Sequence, residues 1–260
     1  MFSQNSVAPA LLLAAWAAAN SFVRAADARQ TAALGRLYLE PNVITGTIYD
    51  EGDLKKVLFT FRRTATNSGQ TVHVLREYFL PGGTLAAREK VAYHAAKFSS
   101  YHFEEFQNGQ RGSAVVQPDS RNGDNIFFEF KHGTAKKSGS EKFETNVLVN
   151  DMVVPFILEH WNALMTGSTV KCRLITVART ETIGFKFTKE SETTRQGKPV
   201  VLIRMEPTSL IIAQFIDALH FTLEKEGDHH VLQYSGRTAP GIRRNGRWED
   251  LDALTVFDWK

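Results

Sequence analysis

The chain has 260 residues, and its 31 Lys and Arg against 28 Asp and Glu give a formal net charge of +3. Because basic and acidic residues are nearly equal in number, the chain lacks the strongly basic composition by which many nucleic-acid-binding proteins are recognised. Its single cysteine, Cys172, excludes an internal disulfide, so the fold must be held together by its hydrophobic core.

An apolar, alanine-rich segment runs from Val7 to Val23 and is followed by small residues up to Ala28. An apolar run followed by small residues is typical of a secretory leader. We predict a signal peptide in residues 1–25, cut after Ala25 or Ala28, and a mature protein in the periplasm or secreted. No Lys or Arg precedes the apolar run, so an uncleaved membrane anchor and a buried amphipathic helix are the alternative interpretations.

The rest of the chain is predicted to form one β-rich domain over residues 36–260, after a linker at 26–35. Its first half, 36–149, is rich in strands, and its second half, 150–260, combines a helix with further strands. No low-complexity segment separates the two halves.

Alternation of apolar and polar side chains predicts the strands of the first half. Val57, Phe59 and Phe61 share one face, and so do the apolar residues Leu85, Ala87, Val91 and Tyr93. A period of two is typical of a sheet with one face in the core and the other in water.

Turn residues separate these strands. Pro81-Gly82-Gly83 and Asn108-Gly109 predict hairpins, because Pro presets its φ and Gly accepts a positive φ. Asn122-Gly123 and Asn245-Gly246 predict later turns. The polar stretch His132–Ser140 predicts a mobile loop.

Two helices are predicted in the second half. Between Asp151 and Thr166, apolar residues fall at helical spacing, namely Val154, Ile157, Leu158, Trp161, Leu164 and Met165. A shorter helix, capped by Thr208 or Ser209, is predicted to carry Ile211, Ile212, Phe215, Ile216 and Leu219. The fold class is therefore α+β, mainly antiparallel β, with a curved sheet or half-barrel packed on one mid-chain helix plus a short second helix.

Sequence signatures of several enzyme classes are missing. The chain has no dinucleotide-binding or P-loop glycine motif, no serine-nucleophile elbow and no His-Glu-x-x-His zinc motif. We therefore predict no cofactor, no metal and no catalytic residue. His229 and His230 are interpreted as part of a polar hairpin tip, and Cys172 as a buried, inert thiol.

Phenylalanine is abundant, with 18 residues against six tyrosines and four tryptophans. Most of these rings are expected in the core, but an aromatic concave sheet can also hold an apolar ligand. The residues predicted to bind it are Trp161, Phe185, Phe187, Ile211 and Phe215, with the second helix as a lid. Separately, Arg243, Arg244 and Arg247 form a basic cluster that could contact an anion, although a solvated charged loop explains them equally well.

The order of segments also resembles a known family. The resemblance rests on the segment Tyr93–Val116, the predicted helix at Asp151–Thr166, and the later runs Gly184-Phe185-Lys186, Gly197-Lys198-Pro199-Val200-Val201 and Leu219–Arg237. This order resembles a family of uncharacterised exported bacterial proteins, and its plan is distantly similar to periplasmic lipoprotein carriers. The resemblance implies a curved sheet around an apolar cavity and no catalytic signature. The long helix lies mid-chain here, whereas the carriers have it first.

These observations favour an exported periplasmic protein that binds a hydrophobic or amphipathic ligand, or an envelope partner, without catalysis. Two alternatives stay open, a structural or assembly partner of the cell envelope and an exported hydrolase without a sequence motif. We predict no nucleic-acid partner and no transmembrane span once the signal is cleaved.

The export prediction can be checked directly. Expressed in a bacterium with its natural start, the protein is expected in the osmotic-shock fraction, with a mass that lacks residues 1–25 or 1–28. Intact-mass spectrometry gives the answer. Protein recovered from the cytosol with its leader intact would contradict the prediction.

Overall fold

The computed structural model describes residues 42–95, 97–118, 121 and 123–259. The predicted signal peptide and linker lie outside the described residues. Within them, fifteen strands form one sheet, and nearly all neighbouring strands are antiparallel. The predicted class, mainly antiparallel β with a curved sheet, is confirmed.

The first half of the chain forms eight consecutive strands. They are β1 Val43–Asp50, β2 Asp53–Ser68, β3 Thr71–Phe79, β4 Leu85–His94, β5 Lys97–Glu105, β6 Gln110–Gln117, β7 Asn125–His132 and β8 Ala135–Lys142. Each strand pairs with the next along the chain, as expected for short, hairpin-forming connections.

The rest of the chain combines short helical segments with seven strands. In chain order, these elements are β9 Val147–Leu148, a 3₁₀ turn Asn150–Met152, α1 Val153–Glu159, α2 Trp161–Met165, β10 Val170–Thr176, β11 Glu181–Arg195, β12 Lys198–Pro207, a 3₁₀ turn Ile212–Gln214, β13 Leu219–Glu224, β14 Val231–Arg244 and β15 Arg247–Asp258. The β9–β10 pair is parallel.

The two halves join through β1 and β15, which pair antiparallel with Thr47 opposite Val256. The sheet then curls until β8, at one end, reaches β11, near the other end. Glu141 on β8 accepts hydrogen bonds from the Thr182 backbone N–H at 3.0 Å and from its hydroxyl at 2.5 Å. Side chains, rather than a backbone ladder, therefore connect these two strands.

The inner face of the curled sheet packs against the helical segment. Phe156 of α1 lies 5.6 Å from the ring of Phe187, and Ile157 and Leu164 are fully buried. Their burial provides the main stabilisation of helices that are too short to be stable alone.

The mid-chain helix is more broken than predicted. The segment predicted as one helix over Asp151–Thr166 begins as a 3₁₀ turn and is interrupted at His160, whose ψ is 15°. Its imidazole Nδ1 lies 3.0 Å from the carbonyl oxygen of Phe156. The His160 backbone N–H also donates to that carbonyl, at 3.2 Å, so the helical hydrogen bond persists across the break.

The predicted second helix is wrong. Only Ile212–Gln214 forms a 3₁₀ turn, and Leu219, predicted as helical, begins β13. Leu219 lies opposite Met205 in the β12–β13 ladder. Pairing in the sheet therefore outweighs a helix of about ten residues, which is marginal in water.

The predicted loop at His132–Ser140 is also wrong, because most of it forms the edge strand β8. Lys137 lies opposite Phe130 of β7 in a regular antiparallel ladder. The strand is polar because it is largely exposed, and charged residues such as Lys136 and Lys137 are typical of edges that avoid pairing with other chains.

The hairpin predictions that fall within the described residues are confirmed. Pro81-Gly82-Gly83 joins β3 to β4, Asn108-Gly109 joins β5 to β6, and Asn245-Gly246 joins β14 to β15. The left-handed φ values of Gly109 (74°) and Gly246 (81°) are those that glycine adopts readily. Among the described residues, the helices are all too short or too polar to cross a membrane.

Gly46 provides a test of the packing between β1 and its neighbours. A Cβ at this position would lie 2.4 Å from Phe61 Cε1 and 2.5 Å from the Val256 carbonyl oxygen. We expect Gly46→Ala to lower the free energy of unfolding by about 1–3 kcal/mol, because backbone on one side cannot move away. Urea unfolding followed by circular dichroism measures this change in the free energy of unfolding.

Gly52→Ala is the matched control. The nearest atom to its new Cβ is an Asp50 carboxylate oxygen at 3.4 Å, so a change within about 0.5 kcal/mol is expected. Equal stability of the two variants would contradict the packing described for β1.

Candidate functional site: a cavity with a charged floor

The curved sheet and α1 enclose a cavity of about 530 Å³. Its walls are mainly apolar. They are formed by Ile44, Ile48 and Phe61 of β1 and β2, Val154 and Leu158 of α1, Leu174 of β10, Met205 of β12, Leu219 and Phe221 of β13, and Phe257 of β15. A volume of this order falls within the range of about 300–1,000 Å³ that is common for small-molecule sites.

One side of the cavity carries a row of charges across three neighbouring strands. Arg63 of β2 lies opposite Arg76 of β3, and Arg76 lies opposite Glu89 of β4. All three occupy inward-facing positions of the sheet, and the side chains of Arg63 and Glu89 are only 5% and 3% exposed. Two arginines directly opposite each other repel unless a carboxylate separates them.

Asp151 supplies that carboxylate. It lies in the 3₁₀ turn before α1, and its Oδ1 accepts from Arg63 Nε at 2.7 Å and from an Arg76 terminal nitrogen at 3.1 Å. Its Oδ2 accepts from a terminal nitrogen of Arg63 at 3.1 Å and from the Tyr93 hydroxyl at 2.9 Å. The helical segment is thereby tied to three strands.

Glu89 completes the cluster. Its carboxylate accepts from the hydroxyls of Tyr101 at 2.9 Å and Tyr78 at 3.2 Å, and it lies 3.6 Å from Arg76. The Asn150 amide donates to it at 3.4 Å. We call the set Arg63, Arg76, Glu89 and Asp151 the charged floor; it holds two positive and two negative groups.

Burial alone would raise the pKa of the Asp151 carboxyl, but Arg63, Arg76 and the Tyr93 hydroxyl together hold that pKa below its ordinary value. Burial and the neighbouring Glu89 raise the pKa values of Tyr78 and Tyr101. Both tyrosines therefore stay protonated and act as hydrogen-bond donors, while the Asp151 carboxylate stays ionised.

The hairpin between β13 and β14 lies at one side of the cavity and is held by two ring stacks. His229 stacks on Trp161 with centroids 4.0 Å apart, and His230 stacks on Trp259 at 4.3 Å. His230 Nδ1 also lies 3.1 Å from a Glu224 carboxylate oxygen. Both histidines line the cavity, so this hairpin forms part of its wall.

None of the five residues predicted to bind a ligand, four aromatic residues and Ile211, lines the cavity. Phe185 and Phe187 are 2% and 0% exposed and pack in the core. Trp161 is half-buried and reaches the site only through its stack on His229. Ile211 and Phe215 are 72% and 74% exposed on the loop between β12 and β13. The structure does not bring these five residues together, and their role in binding stays a prediction.

The predicted anion-contact residues lie at the tip of the β14–β15 hairpin. Arg243, Arg244 and Arg247 are all exposed, and Arg244 lies 3.6 Å from an Asp50 carboxylate oxygen. Arg237, in contrast, lines the cavity and is paired with Asp250 and Asp252 at 2.6 and 2.9 Å. Anion contact by the hairpin tip stays a prediction.

Among the described residues, no group of three or more His, Cys, Asp or Glu side chains could hold a metal ion. Cys172 is buried, as predicted, and burial raises the pKa of its thiol to about 12. A thiol with that pKa is a poor nucleophile at neutral pH. Burial also raises the pKa of the Glu105 carboxyl, which accepts a hydrogen bond from the Gly241 backbone N–H at 3.0 Å.

Sequence reasoning missed the charged floor, although a signal was present. Glu89 interrupts the inward-facing apolar series of β4 between Ala87 and Val91, and Arg63 directly continues the series begun by Phe59 and Phe61. A charged residue at a core position in several strands indicates a buried ionic cluster. Asp151 gives no such signal, because it falls at the start of the predicted helix Asp151–Thr166, where a polar residue is ordinary.

No model of a known protein family matches the chain, and no curated protein matches it. Among solved structures, the chain is similar to a β-barrel-like protein of a domain of unknown function, DUF1849, from Brucella abortus. The two chains are 7% identical, with a TM-score of 0.37 over 83% of this chain and 92% of that one. Export and likeness to lipoprotein carriers stay predictions.

Asp151→Asn tests the charged floor. The substitution keeps the side-chain volume but leaves Arg63 and Arg76 without their shared carboxylate. We expect the free energy of unfolding at pH 7 to fall by about 3–5 kcal/mol, the range for breaking a buried ion pair. Asp250→Asn is the control, because Asp250 is 79% exposed and its pair with Arg237 is worth at most about 1 kcal/mol.

The pH dependence has a definite sign. The pKa of Asp151 is lowered from 3.8 in the folded protein, so its contribution is complete above that value and is lost as the pH falls towards the folded pKa. The difference between wild type and Asp151→Asn should therefore narrow below about pH 4 in urea unfolding series. If the difference in the free energy of unfolding between wild type and Asp151→Asn stayed constant or grew on acidification, the lowered pKa of Asp151 would be contradicted.

Proposed function

We propose that the protein is a non-enzymatic binding protein that holds an apolar or amphipathic ligand in the cavity above the charged floor. The observation that carries the proposal is a 530 Å³ cavity whose walls are mainly apolar and whose buried ionised groups, Arg63 and Asp151, are paired with each other. Apolar walls favour the hydrocarbon part of a ligand, because its transfer from water is favourable.

The charged floor supports an amphipathic ligand over a purely apolar one. Arg76 lines the cavity with a side chain that is 18% exposed, and its two terminal nitrogens hold Glu89 and Asp151. A guanidinium carries five N–H donors, so it can also donate to a ligand oxygen. A few fixed donors in a mainly apolar pocket are typical of sites that orient a ligand.

We further propose that the protein acts in the periplasm or outside the cell, in line with the alanine-rich leader. The ligand would then be a component of the envelope or of its surroundings. The two alternative functions, an assembly partner and a hydrolase, have no specific observation in their favour among the described side chains.

Leu158→Trp tests binding in the cavity. Leu158 lines the cavity from α1 and is half-buried, so an indole at this position would occupy space intended for the ligand. We expect purified wild-type protein to release lipid on solvent extraction and to bind the fluorescent probe N-phenyl-1-naphthylamine. The variant is expected to bind the probe at least about 10-fold more weakly, a difference of about 1.4 kcal/mol.

Leu54→Trp is the matched control, because Leu54 is 59% exposed and does not line the cavity. Its affinity for the probe should equal that of wild type, and thermal unfolding should show that both variants are folded. Equal probe affinity of the two variants, or wild-type protein that neither binds the probe nor carries lipid, would overturn the proposal.

A further inference from the structure

Among the described residues, the large apolar side chains with the highest exposed fractions lie on the loop between β12 and β13. Leu210, Ile211 and Phe215 are 87%, 72% and 74% exposed, and the next most exposed large apolar side chain, Leu54 of β2, is 59% exposed. We call these three residues the apolar tip. Single exposed apolar residues are ordinary, but three on one short loop indicate a contact surface.

The conformation of this loop holds the apolar tip outward. The Ala213 N–H donates to the Ser209 carbonyl at 3.0 Å, and the Ile216 N–H donates to the Ile212 carbonyl at 3.1 Å. Ile212 and Ile216 pack against the core on the inner side of the same turn. The loop therefore carries apolar side chains on its inner side, against the core, and on its outer side, where only Gln214 of the 3₁₀ turn is polar.

The strands that flank the loop line the cavity, although the loop residues themselves do not. The loop connects Met205 to Leu219, which face each other across the β12–β13 ladder and both line the cavity. A surface that contacted the apolar tip would therefore lie next to the proposed binding site.

We infer that the apolar tip docks the protein on the surface of a lipid bilayer by inserting Leu210, Ile211 and Phe215 among the lipids. The area argues for a bilayer over a second protein copy. Three such side chains expose on the order of 400 Å², about half of the ~800 Å² that each partner of a stable protein complex contributes. A bilayer takes up apolar side chains singly and needs no matching surface.

The charges around the tip indicate which lipids are needed. Asp217 is the one charged residue of the loop, and the nearby cations Lys186 and Arg204 are both paired with Glu206, at 2.9 and 2.8 Å. Attraction to anionic headgroups therefore contributes little. Docking is expected on phosphatidylcholine, a lipid with no net charge, and the affinity should not change with salt concentration.

Vesicle flotation with the purified protein tests the inference. Wild-type protein is expected to float with phosphatidylcholine vesicles, and the double variant Leu210→Ser/Phe215→Ser to bind at least about 10-fold more weakly, because two inserted side chains are lost. Leu54→Ser is the matched control and should bind as wild type does. Adding phosphatidylglycerol to the vesicles should change the affinity less than twofold.

Three outcomes would overturn the inference. They are wild-type protein that does not float, a double variant that floats as wild type does, and a concentration-dependent dimer in light scattering that the same substitutions abolish, since the tip would then contact a second copy. The inference does not depend on ligand binding in the cavity. The cavity variant Leu158→Trp should still float, so failure of the proposed function and failure of the docking inference are distinguishable.

Discussion

The fold depends on one buried carboxylate shared by two arginines. Pairing of β2 with β3 brings Arg63 and Arg76 to directly opposite positions on the inner face of the sheet, where like charges repel. Asp151 bonds to both, at 2.7 and 3.1 Å, and it comes from the segment that leads into α1. The electrostatic requirement of the sheet therefore fixes where the helical segment must lie, and with it one wall of the cavity.

The same arrangement sets the character of the cavity. Since the two guanidinium groups are matched by two buried carboxylates, the charged floor has no net charge, and an ionised group entering from water would gain little from it. What remains available is the hydrogen-bonding edge of Arg76, which is 18% exposed. A neutral or weakly polar headgroup with a hydrocarbon part fits these surroundings better than a small, strongly hydrated ion, which would lose its water without a matching charge.

The sheet was largely predictable from sequence, because alternation and turn residues are local. Phe59 and Phe61 mark the inner face of β2, and Asn108-Gly109 marks a hairpin, without knowledge of any neighbour. The charged floor depends on register, because Arg63, Arg76 and Glu89 form a row only once three strands are paired. The errors at Leu219 and in β8 have the same origin, since long-range pairing overrode the local helical spacing and the polar composition.

The abundance of phenylalanine turns out to serve the core more than the cavity. Phe128, Phe185 and Phe187 are almost fully buried, and Phe187 packs against Phe156 of α1, whereas the phenylalanines that line the cavity are Phe61, Phe221 and Phe257. The ring contact between Phe156 and Phe187 holds α1 against β11, whereas the bonds of Asp151 hold the preceding turn against β2 and β3. Close packing on one side and paired charges on the other together explain how a cavity stays open inside a curled sheet.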